Sequence, residues 1–368
     1  MSAKEKDSED RECSHCRAKH SIKEMLRDGN FFIMFDLRAQ LQLLVKKYQR
    51  LLLENLERIH AATSAVYTDL TSGALYKRVR QELGCKANDL TITFSTDGSP
   101  VFKSTTSSLW PIHMILNELP TIPRWQNVTL AGLWFSRKHP NMFLFLKAFA
   151  NAFNEIGTLS WVNSAGEKIA SRVHVVCAVV DSPARAALLN MKQFNGFQGC
   201  PWCYHPGVHL QGSLRYPYRE HVQQRTHVEI ARDMKKATRT GQVVNGIKGL
   251  SPLLYLRSFD VAWGACPDYM HCVLEGVVKQ VTEIWLSHSE AEAYIGRYVD
   301  EVNARLCRIR PPISFSRLPR ALNDRALWKA TEWKSGCSTI LFRVFRVSYH
   351  ITLSASLFKV VSCRVSPY

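Results

Sequence analysis

Two aspartates each close an apolar run. Asp97 ends Leu90-Thr-Ile-Thr-Phe-Ser-Thr-Asp97, and Asp181 ends Arg172-Val-His-Val-Val-Cys-Ala-Val-Val-Asp181. Carboxylates are hard oxygen ligands suited to Mg2+ or Mn2+. In phosphodiester chemistry two such metals clamp the attacking and leaving oxygens, and a third carboxylate from a helix commonly completes the site. Taken singly, each has a plainer reading: a hairpin turn for Asp97 and a helix N-cap for Asp181. Thiols offer a second chemistry. Cys200-Pro-Trp-Cys203 supplies two of the four tetrahedral ligands that Zn2+ prefers, and Gly199 and Pro201 suit a tight knuckle. Candidates for the rest are His205, His209, Cys266, His271 and Cys272. Redox exchange is the rival use of such a pair, but no thioredoxin-like strand-helix-strand context surrounds it. Cys13-Ser-His-Cys16 is a second pair, half of a zinc ribbon or simply part of a polar tail.

A third group is cationic. Residues 215–248 and 297–334 are rich in Arg and Lys, including Arg232, Lys235, Lys236 and Arg239. Such residues fit phosphate-backbone contacts, although charge runs are most often solvated faces. Trp125, Trp134, Trp202, Trp263 and Trp333 could stack on bases or fill the core.

These groups need elements to position them. Leu90 to Asp97 alternates as a half-buried strand does, and Asp97-Gly98 then marks a turn. Val101 to Pro111 is expected as a second strand and Val128 to Phe135 as a third. Met142 to Ile156 carries Phe145, Phe149 and Phe153 on one helical face. Arg172 to Val180 is β-branched, the pattern of a buried strand, and Pro183 opens a helix after it. The order is strand, strand, strand, helix, strand, helix, with the first and fourth strands each ending in Asp. Upstream, Leu37 to His60 reads as an amphipathic packing or oligomerisation helix, and Tyr76 to Leu83 as a shorter one. Downstream, helices are expected over Met270 to Leu286 and near Asn323 to Lys334.

Composition narrows the classes. The 368 residues carry a net charge of +17, with 46% hydrophobic and 21% charged residues. That excludes a wholly disordered chain and implies a polyanionic partner, either nucleic acid or an acidic membrane surface. No apolar run reaches the ~18 residues of a membrane-spanning helix. The polar stretch from Met1 to Glu12 does not read as a secretory signal. Eleven cysteines, an odd number, are expected in a reducing compartment as thiols or metal ligands.

Several motifs then recur in a set order: Ser95-Thr-Asp-Gly-Ser-Pro-Val-Phe-Lys-Ser104, Ser108-Leu-Trp-Pro-Ile112, Asn117-Glu-Leu-Pro120, Leu130-Ala-Gly-Leu-Trp-Phe135, Val180-Asp-Ser-Pro-Ala-Arg185 and Lys192-Gln-Phe-Asn-Gly196. Gly199-Cys-Pro-Trp-Cys203 with His205-Pro-Gly207, Asp268-Tyr-Met-His271 with Gly276-Val277, Leu318-Pro-Arg320 and Trp328-Lys-Ala-Thr-Glu-Trp333 complete the run. Over residues 85–334 this resembles the transposase domain of CACTA-type (En/Spm-like) DNA transposons.

What the resemblance implies is an α/β chain: an RNase H-like mixed sheet with flanking helices, a zinc-binding insertion and a helical N-terminal region. Asp97, Asp181 and Glu332 would form the metal triad holding two Mg2+ or Mn2+, with Glu275 as the rival third acid. Cys200 and Cys203 would bind Zn2+ in the insertion, with His271 as the histidine of that subsite. The implied divisions are 1–84, the core at 85–200, the zinc-binding and basic insertion at 200–318, the last core helix at 319–335 and an atypical tail at 336–368. DNA would be the partner, held by Arg232, Lys235, Lys236 and Arg239, with no membrane, a homo-oligomer to hold two ends, and a nuclear location. The tail has no Asp or Glu and reads as foreign to the family pattern, a truncation beyond Lys334-Ser335. Gly336 would end the helix that carries Glu332. The expectation is a transposase-derived DNA-binding protein whose cleavage site is impaired by the truncation; the alternative is a catalytically inert zinc-containing nucleic-acid-binding protein or a decayed transposon product.

Overall fold

The computed structural model describes residues 11–12, 19–21, 27, 29, 31–62, 66–100, 107–163, 166–210, 212–290, 294–313 and 317–335. The Cys13/Cys16 pair, residues 101–106 of the expected second strand and the tail at 336–368 lie outside the described residues.

The chain divides into two compact units, residues 1–266 and 267–368. The first unit is mixed α/β. The strands of its main sheet are β1 (Phe31–Met34), β2 (Leu90–Thr96), β3 (Ser99–Pro100), β4 (Ser108–Leu116), β5 (Thr129–Ser136), β6 (Thr158–Val162), β7 (Lys168–Val180) and β8 (Ala265–Pro267), beside two small two-stranded sheets. They form one sheet in the order β8-β7-β2-β4-β5-β1, with β3 paired to β4 and β6 to β7. Pairs β2–β4, β4–β5 and β1–β5 are antiparallel, whereas β2 and β7 run parallel. The sheet is therefore mixed, as expected. A parallel pair needs a long crossover; here it contains the helix α3 (Met142–Asn154).

Helices flank the sheet because their apolar residues fall on one face. The long helix α1 (Leu37–Ala61) is capped by Asp36, whose carboxylate accepts from Ala39 N–H at 2.8 Å, and buries Leu37, Leu41, Leu44, Val45, Leu52 and Leu56. The shorter α2 (Ala74–Glu82) leads into β2. Helix α3 buries Phe145, Leu146, Phe149, Ala150 and Phe153, and its Phe149 ring lies 5.1 Å from that of Phe94 on β2. After β7 comes α4 (Ser182–Leu188), and further on α5 (His227–Thr240).

Two expectations shift. The second strand continues beyond its expected end, through Pro111 to Leu116. Pro111 supplies no N–H to the ladder, and the β4–β5 register slips one residue later, between Ile112 and His113. The fourth strand begins at Lys168 and forms a hairpin with β6, where Thr-Leu-Ser-Trp-Val alternates exposed and buried residues.

The second unit is helical. A wide, π-type helix spans Met270–Val278 and continues as α6 (Lys279–Ser287). Then follow α7 (Val299–Leu306) and α8 (Ala330–Ser335). Leu274, Val302, Leu306, Leu322, Trp328 and Trp333 form its core.

Candidate functional site: a strand-end carboxylate pair, a thiol knuckle and a basic helix face

The parallel pairing of β2 and β7 places the two aspartates. Thr93 lies opposite Cys177 and Phe94 opposite Ala178, so three residues further on Asp97 and Asp181 leave the sheet at the same end in the same register. Asp97 is exposed and makes no hydrogen bond among the described residues. Asp181 is half-buried, and its Oδ1 accepts from Ala184 N–H at 2.7 Å, capping α4. Asp181 therefore shows the plainer of its two readings, the helix N-cap.

Glu332 is differently placed. In the second unit its Oε1 accepts from Arg320 Nε at 2.6 Å, and its Oε2 from Arg320 Nη2 at 2.8 Å and Lys329 N–H at 2.9 Å. Burial alone would raise this carboxyl, but the bonds from Arg320 and the Lys329 amide outweigh it and hold it below the usual range. Both oxygens are thus committed to protein donors. Glu275, the rival, is exposed on the π-type helix and has no ion-pair partner among the described residues.

The Cys200 and Cys203 thiols stand 3.3 Å apart, so the knuckle is formed. Burial raises the Cys203 thiol above its ordinary value. The turn admits no side chain at position 199, since a β-carbon there would collide with the Gln193 and Gly196 carbonyls. Arg225 staples the knuckle from beneath. Its guanidinium donates to the carbonyls of Cys203 (3.0 Å), Gln198 (3.1 Å) and Asn245 (2.7 Å) and lies 4.4 Å from the Tyr204 ring centre. Arg225 thus stands apart from the solvated basic residues around it: it is 1% exposed, and burial lowers its pKa. The nearest histidine is not available as a third ligand. His205 Nε2 pairs with the Pro217 carbonyl at 2.9 Å and its Nδ1 accepts from Gly207 N–H at 3.0 Å. His271, in the second unit, pairs its Nδ1 with Asp268 Oδ2 at 2.6 Å, which leaves Nε2 open.

The basic segment at 215–248 contains α5, and here the spacing matters. Arg232, Lys235, Lys236 and Arg239 recur at three and four residues, so they share one helix face. All four are exposed and none has an ion-pair partner among the described residues, while Ile230, Asp233, Met234 and Ala237 are buried on the opposite face. The tryptophans divide. Trp333 is 1% exposed in the core of the second unit, Trp202 lies under Arg185 at 4.6 Å, and Trp125 is 64% exposed.

One motif turns out to be structural. Glu118 is fully buried and accepts from Tyr76 Oη (3.0 Å), Thr91 N–H (2.8 Å) and Thr91 Oγ1 (2.7 Å), while Asn117 bonds Thr91 and Thr93. Arg124 clamps Asp69 with both terminal nitrogens at 2.7 and 2.6 Å. The Asn117-Glu118 pair thus fastens β2 to the turn after β4.

Among the described residues one group brings three potential metal-ligand atoms within 4.8 Å of one another: Cys85, Asp89 and His174. Sequence reading did not find it. Its members come from two segments some ninety residues apart, and no local spacing announces them.

The architecture and these sites define a mixed α/β protein with a central mixed sheet, flanking helices and residues able to hold a metal ion. A family-wide profile matches residues 3–246, and the chain belongs to that family, described as a protein of unknown function (DUF1258). No curated protein matches the chain. No helix among the described residues is long and apolar enough to cross a membrane.

Proposed function

We propose that this chain is a transposase-derived DNA-binding protein of the CACTA type, built on an RNase H-like core. The reading is carried by the β2–β7 pair, two parallel neighbours with Asp97 and Asp181 in register at their common end. The connectivity supports it: β2, β4 and β5 run antiparallel in succession, α3 follows, and β7 returns parallel beside β2. Asp97 and Asp181 would supply hard oxygen ligands to Mg2+ or Mn2+, and Cys200 and Cys203 two thiolates to Zn2+. The exposed stripe of Arg232, Lys235, Lys236 and Arg239 would follow phosphates, giving affinity without base readout. A nuclear location follows from such a partner.

Bound metal would supply Lewis-acid activation of a phosphodiester. Glu332 does not fit as the third ligand in this arrangement, since both its oxygens are taken by Arg320 and the Lys329 amide. The observation favours binding without strand cleavage. The experiment is to incubate purified protein with duplex DNA and Mn2+ beside an Asp97→Ala/Asp181→Ala variant. Salt-sensitive binding with equal, background nicking in both is expected. Nicking that the double variant loses would replace the inert reading by an active one, and absence of DNA binding would overturn the proposal.

A further inference from the structure

A cleft of about 380 Å3 opens in the first unit between α2, the first turn of α5 and the loop 257–263 that precedes β8. Its apolar walls are Val79 and Leu83 from α2 and its C-terminal cap, Val228 from α5, and Phe259 and Trp263 from the loop. Thr226, His227 and Ser258 add polar groups. A concave site that joins apolar and aromatic walls to a few polar groups is the usual form of a small-ligand pocket. Trp263, one of the five tryptophans able to stack on a base or fill a core, is 37% exposed here. Its turn is fixed. Asp260 Oδ1 accepts from the amides of Ala262 (2.8 Å) and Trp263 (3.2 Å), and Gly264 N–H donates to the Asp260 carbonyl at 2.6 Å. The second carboxylate oxygen of Asp260 pairs with Arg78 of α2. His227 Nδ1 accepts from Val261 N–H at 3.3 Å, so the proton of the neutral ring sits on Nε2, which is left as a donor.

Charge and position identify the ligand. Arg78 and Arg257 line the cleft, but so do Asp260 and Glu82, and the formal charges cancel. A phosphate therefore gains little inside it, whereas a neutral planar group gains an aromatic face to stack on. Val228 is exposed and stands one turn before Arg232, at i and i+4, so the cleft lies in line with the cationic stripe of Arg232, Lys235, Lys236 and Arg239. A nucleic-acid strand whose phosphates follow that stripe is led to the cleft at the N-terminal end of α5.

We propose that the cleft takes one unpaired base of the bound DNA, stacked on Trp263, where the strand held by α5 leaves the duplex. This rests on the DNA-binding reading and adds to it a preference for single-stranded ends. The stripe supplies affinity through phosphates, and the cleft reads the presence of a base without reading which base it is, because every base has a face to stack.

The probes are a labelled blunt duplex and the same duplex with a short overhang, made either of adenines or of abasic sugars, on the 3′ and the 5′ strand in turn. The abasic overhang keeps the phosphates and lacks the bases. The full chain should bind the adenine overhang at least about fivefold more tightly than the abasic one, in one of the two polarities. Trp263→Ala should bring the two overhangs to the same affinity, and Trp263→Phe, which keeps an aromatic face, should restore most of the difference. Equal affinity of the unaltered chain for adenine and abasic overhangs, with binding to the blunt duplex intact, would overturn the cleft proposal and leave the DNA-binding reading standing. So would a difference that persists in Trp263→Ala. Failure to bind any of the probes would overturn the DNA-binding reading itself, and the cleft proposal with it.

Discussion

A β-carbon on Gly98 would collide with Cε2 and Cζ2 of the Trp110 indole. The glycine beside Asp97 is therefore required by a close approach between β3 and β4, and its backbone is outside the left-handed region. Gly98→Ala is expected to cost about 1–3 kcal/mol, as overpacking does, read as a lower urea midpoint. Trp110→Leu in the same chain should recover part of the loss, because the two residues share one contact. An unchanged midpoint in Gly98→Ala would show that the indole does not rest there. At this scale, Asp97 and Asp181 could be read from sequence because each ends a strand whose pattern is strong. Arg225 could not, because a buried arginine and a solvated one look alike in a basic segment. His174 was also hidden, since it sits inside a β-branched run that reads simply as core.

The basic face of α5 is a property of the element, not of any one residue. Thr226 and Glu229 form a capping box, Thr226 Oγ1 accepting from Glu229 N–H at 3.2 Å, and Gly241 ends the helix with φ +66°. Thr-x-x-Glu followed by glycine twelve residues later stood in the sequence, yet the buried side holds few large apolar residues, so charge masked the helical period. Because the four cations share a face, their contribution should appear as a slope. For duplex DNA each phosphate contact contributes about 0.9 to the dependence of log K on log salt. Replacing Arg232, Lys235, Lys236 and Arg239 by alanine should flatten that slope by about 3.6 while leaving the helix folded, as alanine is a good helix former. Fluorescence anisotropy on a labelled duplex across a salt series measures it. A variant that binds more weakly at an unchanged slope would place the phosphate contacts elsewhere. The strands were more readable than this helix because alternation and β-branching survive in short windows. The β6–β7 hairpin was missed because its alternating run is only five residues long.

At the scale of the whole molecule, the described residues form two hydrophobic cores that share no residue. One gathers buried side chains between Leu37 and Ala265, the other those between Leu274 and Trp333. The chain divides into two compact units at 266/267, where one core ends and the other begins. Two separate cores predict two separable losses of stability. Phe149→Ala removes a fully buried ring between α3 and the sheet, and Trp333→Ala removes the largest fully buried side chain of the helical unit. Each should cost roughly 3–5 kcal/mol. Hydrogen exchange followed peptide by peptide should show Phe149→Ala loosening residues 37–265 and sparing 270–335, and Trp333→Ala doing the reverse. If either change weakened protection equally throughout, the two cores would be one cooperative unit. The direction matters for Glu332, whose helix is anchored by Trp333 packed at 4.9 Å on Trp328. Loosening that unit would free the carboxylate from Arg320, so Trp333→Ala also tests whether the arginine pairing depends on the integrity of the helical core or survives its loss.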